Sequence, residues 1–121
     1  MIWWAAAGGM VGTLARYGLG MWAGKRLGTV FPWGTWIINI SGSLLLGWLY
    51  GEFAQHNLSP ALWMLLGTGF CGGYTTFSTF GYESLQLMEH KKYRRMAMYV
   101  LSSVIVGVIA AAIGYRVSYT L

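Results

Sequence analysis

Three stretches of this chain run without a charged residue for the length of a membrane-crossing helix: residues 31–51, 57–82 and 96–115. A fourth, residues 2–24, is broken only by Arg16. A helix needs about 20 consecutive apolar residues to cross the hydrocarbon of a bilayer. The composition agrees, with 56% hydrophobic and 9% charged residues, where a soluble domain is about a quarter charged. The pattern predicts an all-α integral membrane protein, a single domain over residues 1–121, with four spans near 2–24, 31–51, 60–88 and 96–116 in the lipid bilayer.

Seven Trp and eight Tyr suit such a chain, because amphipathic rings collect at membrane interfaces. The net charge of +5 sits mostly in short clusters beside the apolar runs, which speaks for topology signals and lipid headgroups rather than nucleic acid. Lone Cys71 excludes an internal disulfide, and His56 and His90 have no metal-like partner nearby in sequence. With three acidic residues in all and no nucleophile beside a base, an enzyme is not expected.

The third apolar segment is too long for one straight span, and its centre is unlike the others. Residues 69–83 read GFCGGYTTFSTFGYE: four glycines, the hydroxyls of Thr75, Thr76, Ser78 and Thr79, two phenylalanines three apart, and Glu83. Glycines weaken a continuous helix, and the pattern predicts two half-helices with a break between. Backbone freed at membrane depth must be buried in protein or line a wet cavity. Carbonyls at a break favour a cation; hydroxyls and amide hydrogens favour an anion. Phe77 and Phe80 are ordinary packing residues by spacing alone. In a polar lane their positive ring edges could instead face a small anion.

The other spans carry fewer signals. Gly8, Gly9, Gly12 and Ala15 mark a close-packing face in the first, where Arg16 either snorkels to the interface or lines an aqueous vestibule. Asn39, Ser43 and Gly47 recur every four residues in the second, giving a small polar face that serves either as helix glue or as a pore wall. Ser102, Ser103 and Gly107 lie in the fourth. Lys25, Arg26, Lys91, Lys92, Arg94 and Arg95 all fall in the loops after the first and third spans, which places both termini outside by the positive-inside rule.

These motifs, GGMVGTLARY in the first span, GTWIINISGSLLLG in the second and GFCGGYTTFSTF in the third, closely resemble the Fluc (CrcB) family of fluoride channels over essentially the whole chain. The resemblance implies an antiparallel, inverted dimer with dual topology in the cell membrane, a prokaryotic inner membrane, that exports fluoride passively and lowers its toxicity. It implies that Phe77 and Phe80 contact fluoride, with Asn39, Ser78, Thr79, Glu83, Tyr99 and Ser103 as the polar wall and Arg16 in the vestibule. It further implies a structural Na+ at the dimer interface, held by the backbone carbonyls of Gly72 and Thr75. The one-sided basic loops sit awkwardly with insertion in both directions, so the partner is either a second copy or an oppositely oriented homologous chain.

Two rivals are weighed against this. A small proton-coupled multidrug exporter also uses four short spans, but it needs an acid in the first, where this chain has Arg16. A membrane scaffold leaves Asn39, Glu83 and the hydroxyls without a role.

Overall fold

In a computed structural model, which describes residues 2–28 and 30–120, helices account for nearly all of the chain. Helix α1 is Ile2–Leu27 and α2 is Trp33–Ala54. Helix α3 covers residues 60–74: an α-helical start at Pro60–Leu62, a π-helical run at Trp63–Cys71, and an α-helical end at Gly72–Tyr74. Helix α4 is Ser78–Glu89 and α5 is Tyr93–Thr120. No strand occurs among the described residues.

The ends of these helices have local causes. Pro60 occupies the first turn of α3, where its missing N–H costs nothing, and Ser59 Oγ accepts from Leu62 N–H at 3.2 Å. Helices α2 and α4 close alike. Asn57 N–H reaches back to Glu52 C=O at 2.9 Å with His56 at φ 61°, and Lys92 N–H reaches Leu87 C=O at 2.8 Å with Lys91 at φ 59°. Both are Schellman-type stops made with a side-chain-bearing residue in the left-handed region, where glycine is usual.

Helices α2 and α5 pack along their length, and α1 lies against α3. Both contacts bring backbone against backbone. A Cβ on Gly8 would overlap Leu65 C=O and one on Gly12 would overlap Phe70 C=O; across the other pair, Gly47 faces Ala111 C=O and Gly114 faces Leu44 C=O in the same way. Close approach through small residues is how helices associate where lipid supplies no hydrophobic drive.

Polarity is inverted relative to a water-soluble fold. Thr35, Thr76 and Ser118 are buried, whereas Trp3, Met10, Val11 and Leu14 of α1 and Leu101, Val104, Ile105, Val108 and Ile109 of α5 face outward. Among the described residues, one helix passes a hydropathy criterion for crossing a membrane: Tyr93–Thr120, with mean hydropathy 2.3 and 11% of its apolar stretch buried. So little burial is unlike the core helix of a soluble domain. Helix α1 carries three charges, α2 is rich in Trp and Gly, and the third segment is divided into short pieces, all of which lower their mean hydropathy or length.

Overpacking a tight contact costs typically about 1–3 kcal/mol. Gly47→Ala and Gly114→Ala are each expected to lose stability in that range, read as a lower temperature of half-loss of the monodisperse peak in size-exclusion chromatography. Gly18→Ala, where an added Cβ meets nothing within 4 Å, is expected to leave that temperature unchanged.

Candidate functional site

Helical hydrogen bonding stops at Tyr74 and resumes at Ser78, with Thr75 extended at φ −80°, ψ 157°. Asn39 of α2 holds this segment. Its Nδ2–H donates to Thr76 C=O at 2.9 Å and its Oδ1 accepts from Thr76 N–H at 2.9 Å, so one side chain satisfies both backbone groups of a buried residue. Thr76 Oγ1 in turn accepts from Thr79 N–H at 3.2 Å and sits 3.5 Å from Ser78 Oγ. The hydroxyl thereby caps the first turn of α4.

The Asn39 bond has a consequence one turn back. A continued helix would pair Thr76 N–H with Gly72 C=O, but that donor is committed to Asn39. Thr75 N–H and Oγ1–H both go to Cys71 C=O, at 2.9 and 2.8 Å. The carbonyls at the end of α3, Gly72 and Thr75 among them, therefore lie beyond the helical ladder, at the partially negative end of a helix. Hard oxygen donors of this kind suit a hard cation, and Gly72 is exposed with open space beside it. Two carbonyls from one chain are fewer than a small cation's full shell, so the group fits if a second chain completes it.

Beyond the break the aromatics form a series. Phe77 and Phe80 have centroids 6.2 Å apart at 41°, and Phe80 meets Tyr99 of α5 at 5.1 Å and 45°. Tyr99 is fully buried, and its O–H donates to Glu83 Oε1 at 3.2 Å. On its other side stands Phe31, from the connection before α2, edge-on at 5.5 Å and 89°. Phe77 is 84% exposed, with its ring on the outside of the single chain.

Glu83 and Thr79 face a cavity of about 800 Å³ between α1, the start of α2 and α4, which Arg16 also lines. The structure thus brings Arg16, Thr79 and Glu83 to one space and joins Glu83, Tyr99 and Phe80 in one contact chain. Ser103 is elsewhere on α5, its Oγ buried with no partner among the described residues. Gly72 and Thr75 lie apart from the cavity lining.

Sequence reasoning did not single out Thr76, the residue Asn39 holds, nor two further ties on α2: Ser41 Oγ to Tyr74 O–H at 2.8 Å, and Trp36 Nε1–H to Ser102 Oγ at 3.0 Å. Thr76 is one hydroxyl among four in residues 75–79, and type and spacing do not separate the one whose backbone is clamped.

Asn39→Ala is expected to destabilise the protein by roughly 2–4 kcal/mol, because two buried backbone groups lose their partners at once. Asn39→Asp keeps the acceptor and loses the donor. Thermal unfolding in detergent should place it between wild type and Asn39→Ala.

A family model described as "CrcB-like protein, Camphor Resistance (CrcB)" matches residues 3–115. The chain is 45% identical over 112 residues to a protein of Acidobacterium capsulatum named "Fluoride-specific ion channel FluC", covering 92% of this chain and 90% of that one. It is 46% identical over 111 residues to "Fluoride-specific ion channel FluC 2" of Clostridium acetobutylicum, covering 92% of each. To "Fluoride-specific ion channel FluC 1" of Geobacillus kaustophilus it is 43% identical, covering 93% and 92%.

Proposed function

The chain belongs to the CrcB family, and from that premise we propose that it is a passive, fluoride-selective ion channel of the cell membrane, not an enzyme. It lets fluoride leave the cytoplasm and so lowers its toxicity. The observation that carries the reading is the contact chain of Phe80, Tyr99 and Glu83, whose last member lines a cavity with Arg16 and Thr79, together with relatives named for fluoride across nearly their whole length.

In this reading α1, α2 and α5 are membrane spans, and α3 with α4 forms one span broken at residues 75–77. The Arg16 guanidinium raises the local anion concentration in the vestibule. Thr79 and Ser78 hydroxyls and the free amide hydrogen of Asn39 replace water around the ion, while the rings of Phe77 and Phe80 offer their positive edges. Tyr99 positions Glu83 through its hydroxyl, and Ser103, unpartnered among the described residues, extends the polar lane along α5. The exposed ring of Phe77 and the glycine-lined surface of α1 leave the pore wall incomplete in one chain. An antiparallel pair closes it, either two copies in dual topology or this chain with an oppositely oriented homologue. Numbered relatives such as FluC 1 and FluC 2 are in keeping with the second arrangement. Na+ held by Gly72 and Thr75 carbonyls from both chains would neutralise their partial negative charge and tie the pair together.

Purified protein in liposomes is expected to release fluoride much faster than chloride. Equal rates for the two ions, or no release, would overturn the assignment. Phe80→Ile should slow fluoride release at least about tenfold while the protein still elutes as an assembled species; loss of assembly would mark Phe80 as a packing residue instead.

For the cation, the dimerisation constant in detergent should weaken when sodium is replaced by a large organic cation at equal ionic strength. A constant that does not change would remove Na+ from the interface.

A further inference from the structure

We propose that the mouth of the cavity is a binding site for phosphate-class oxyanions, in which Arg95 and Lys92 hold the ligand and Arg16 faces it from α1. Occupancy there plugs the route to Glu83. The plugging, though not the binding, rests on the channel reading above.

Size is the first ground. At about 800 Å³ in the single chain the space admits a polyatomic anion with its water and is not confined to one small monatomic ion. Charge is the second. Three cations line it, Arg16, Lys92 and Arg95, and Glu83 is the sole acid among the lining residues. Three cations against one carboxylate leave the lining with an excess of positive charge. Arg95 lies in the first turn of α5, which contains no acidic residue; the partially positive end of that helix adds to the crowding of like charge. A multiply charged anion relieves all of these at once.

The choice of oxyanion over halide comes from the donors. A guanidinium presents parallel N–H groups that match two oxygens of one phosphate, a geometry a monatomic anion cannot use. His90 also lines the mouth, with Nδ1 committed to Gln86 C=O at 2.9 Å. Its Nε2 carries no such backbone bond. The same chemistry is offered by free phosphates and by the phosphodiester of an anionic lipid.

The test uses the whole protein in neutral detergent, titrated calorimetrically with pyrophosphate at ionic strength fixed with sodium chloride. Saturable binding is expected, and Lys92→Gln/Arg95→Gln should weaken it about tenfold or more. Lys25→Gln/Arg26→Gln removes the same charge at residues that do not line the cavity and should change it less than about twofold. Absence of saturable binding by wild type, or equal weakening in both double variants, would overturn the site and leave only diffuse charge.

Flux separates the sources. Pyrophosphate should inhibit fluoride release from phosphatidylcholine vesicles if the free anion is the plug. If the lipid is the plug, release should be slow in phosphatidylglycerol vesicles and indifferent to added pyrophosphate. Wild-type binding in the absence of any fluoride flux would overturn the channel reading and retain the site, whereas flux that neither agent slows would overturn the plugging.

Discussion

The hydrogen bonds from Asn39 to both backbone groups of Thr76 are the constraint on which the rest of the site depends. A chain that interrupts a helix away from water must find partners for the peptide groups it releases. Here one primary amide, on a neighbouring helix and with donor and acceptor side by side, supplies both. That frees Thr76 Oγ1 to cap α4 and fixes the direction in which α4 departs. The position of Phe80 against Tyr99, and of Glu83 within reach of the Tyr99 hydroxyl, depends on that direction.

The same commitment separates the two ends of the break by charge. On the α3 side, the carbonyls of Gly72 and Thr75 are left outside the ladder because their helical donors go elsewhere, Thr76 N–H to Asn39 Oδ1 and Thr79 N–H to Thr76 Oγ1. On the α4 side, hydroxyls and ring edges dominate. In the proposed channel, one interruption of three residues would offer carbonyls to a cation in one direction and hydroxyls and rings to an anion in the other, with no charged residue between Thr75 and Phe80. On that reading, a cation and an anion would be told apart by the turn of the peptide dipole rather than by formal charges.

How much of this was legible in the sequence differs by level. The all-helical character comes from long uncharged runs, and the glycine pairs that set the helix contacts, Gly8 with Gly12 on α1 and Gly47 on α2, are visible as small residues at helical spacing. Asn39 is visible too, as the amide of a small polar face that the spacing leaves as either helix glue or pore wall. Its partner is not. Thr76 stands among chemically equal neighbours, and which of four hydroxyl residues receives the clamp is decided by the α2–α3 packing. Phe31, edge-on to Tyr99 from a connecting segment, and the Trp36–Ser102 tie likewise belong to tertiary placement, 66 residues apart in the second case, for which no periodicity exists.

The π-helical run at Trp63–Cys71 marks the limit of local reasoning in a different way. A π-helix is rare because each turn is wide and its interior poorly filled. Within this segment Gly67 and Gly69 are buried, the Trp63 ring lies over Gly67, and Gly69 approaches the backbone of α1 at Ala5 and Gly8. Side-chain volume is thus moved from the helix–helix contact to a ring that folds back over its own turn, which lets α1 and α3 come together along their backbones. The widened turn also rotates the residues C-terminal to it. Gly72 and Gly73 complete the helix, and the break falls where Asn39 of α2 can reach it. Two of the glycines that weaken the helix by composition, Gly69 and Gly73, are in the fold what permits the approach of α1 at Ala5, Gly8 and Gly9, whereas Gly72 and Gly81 face open space.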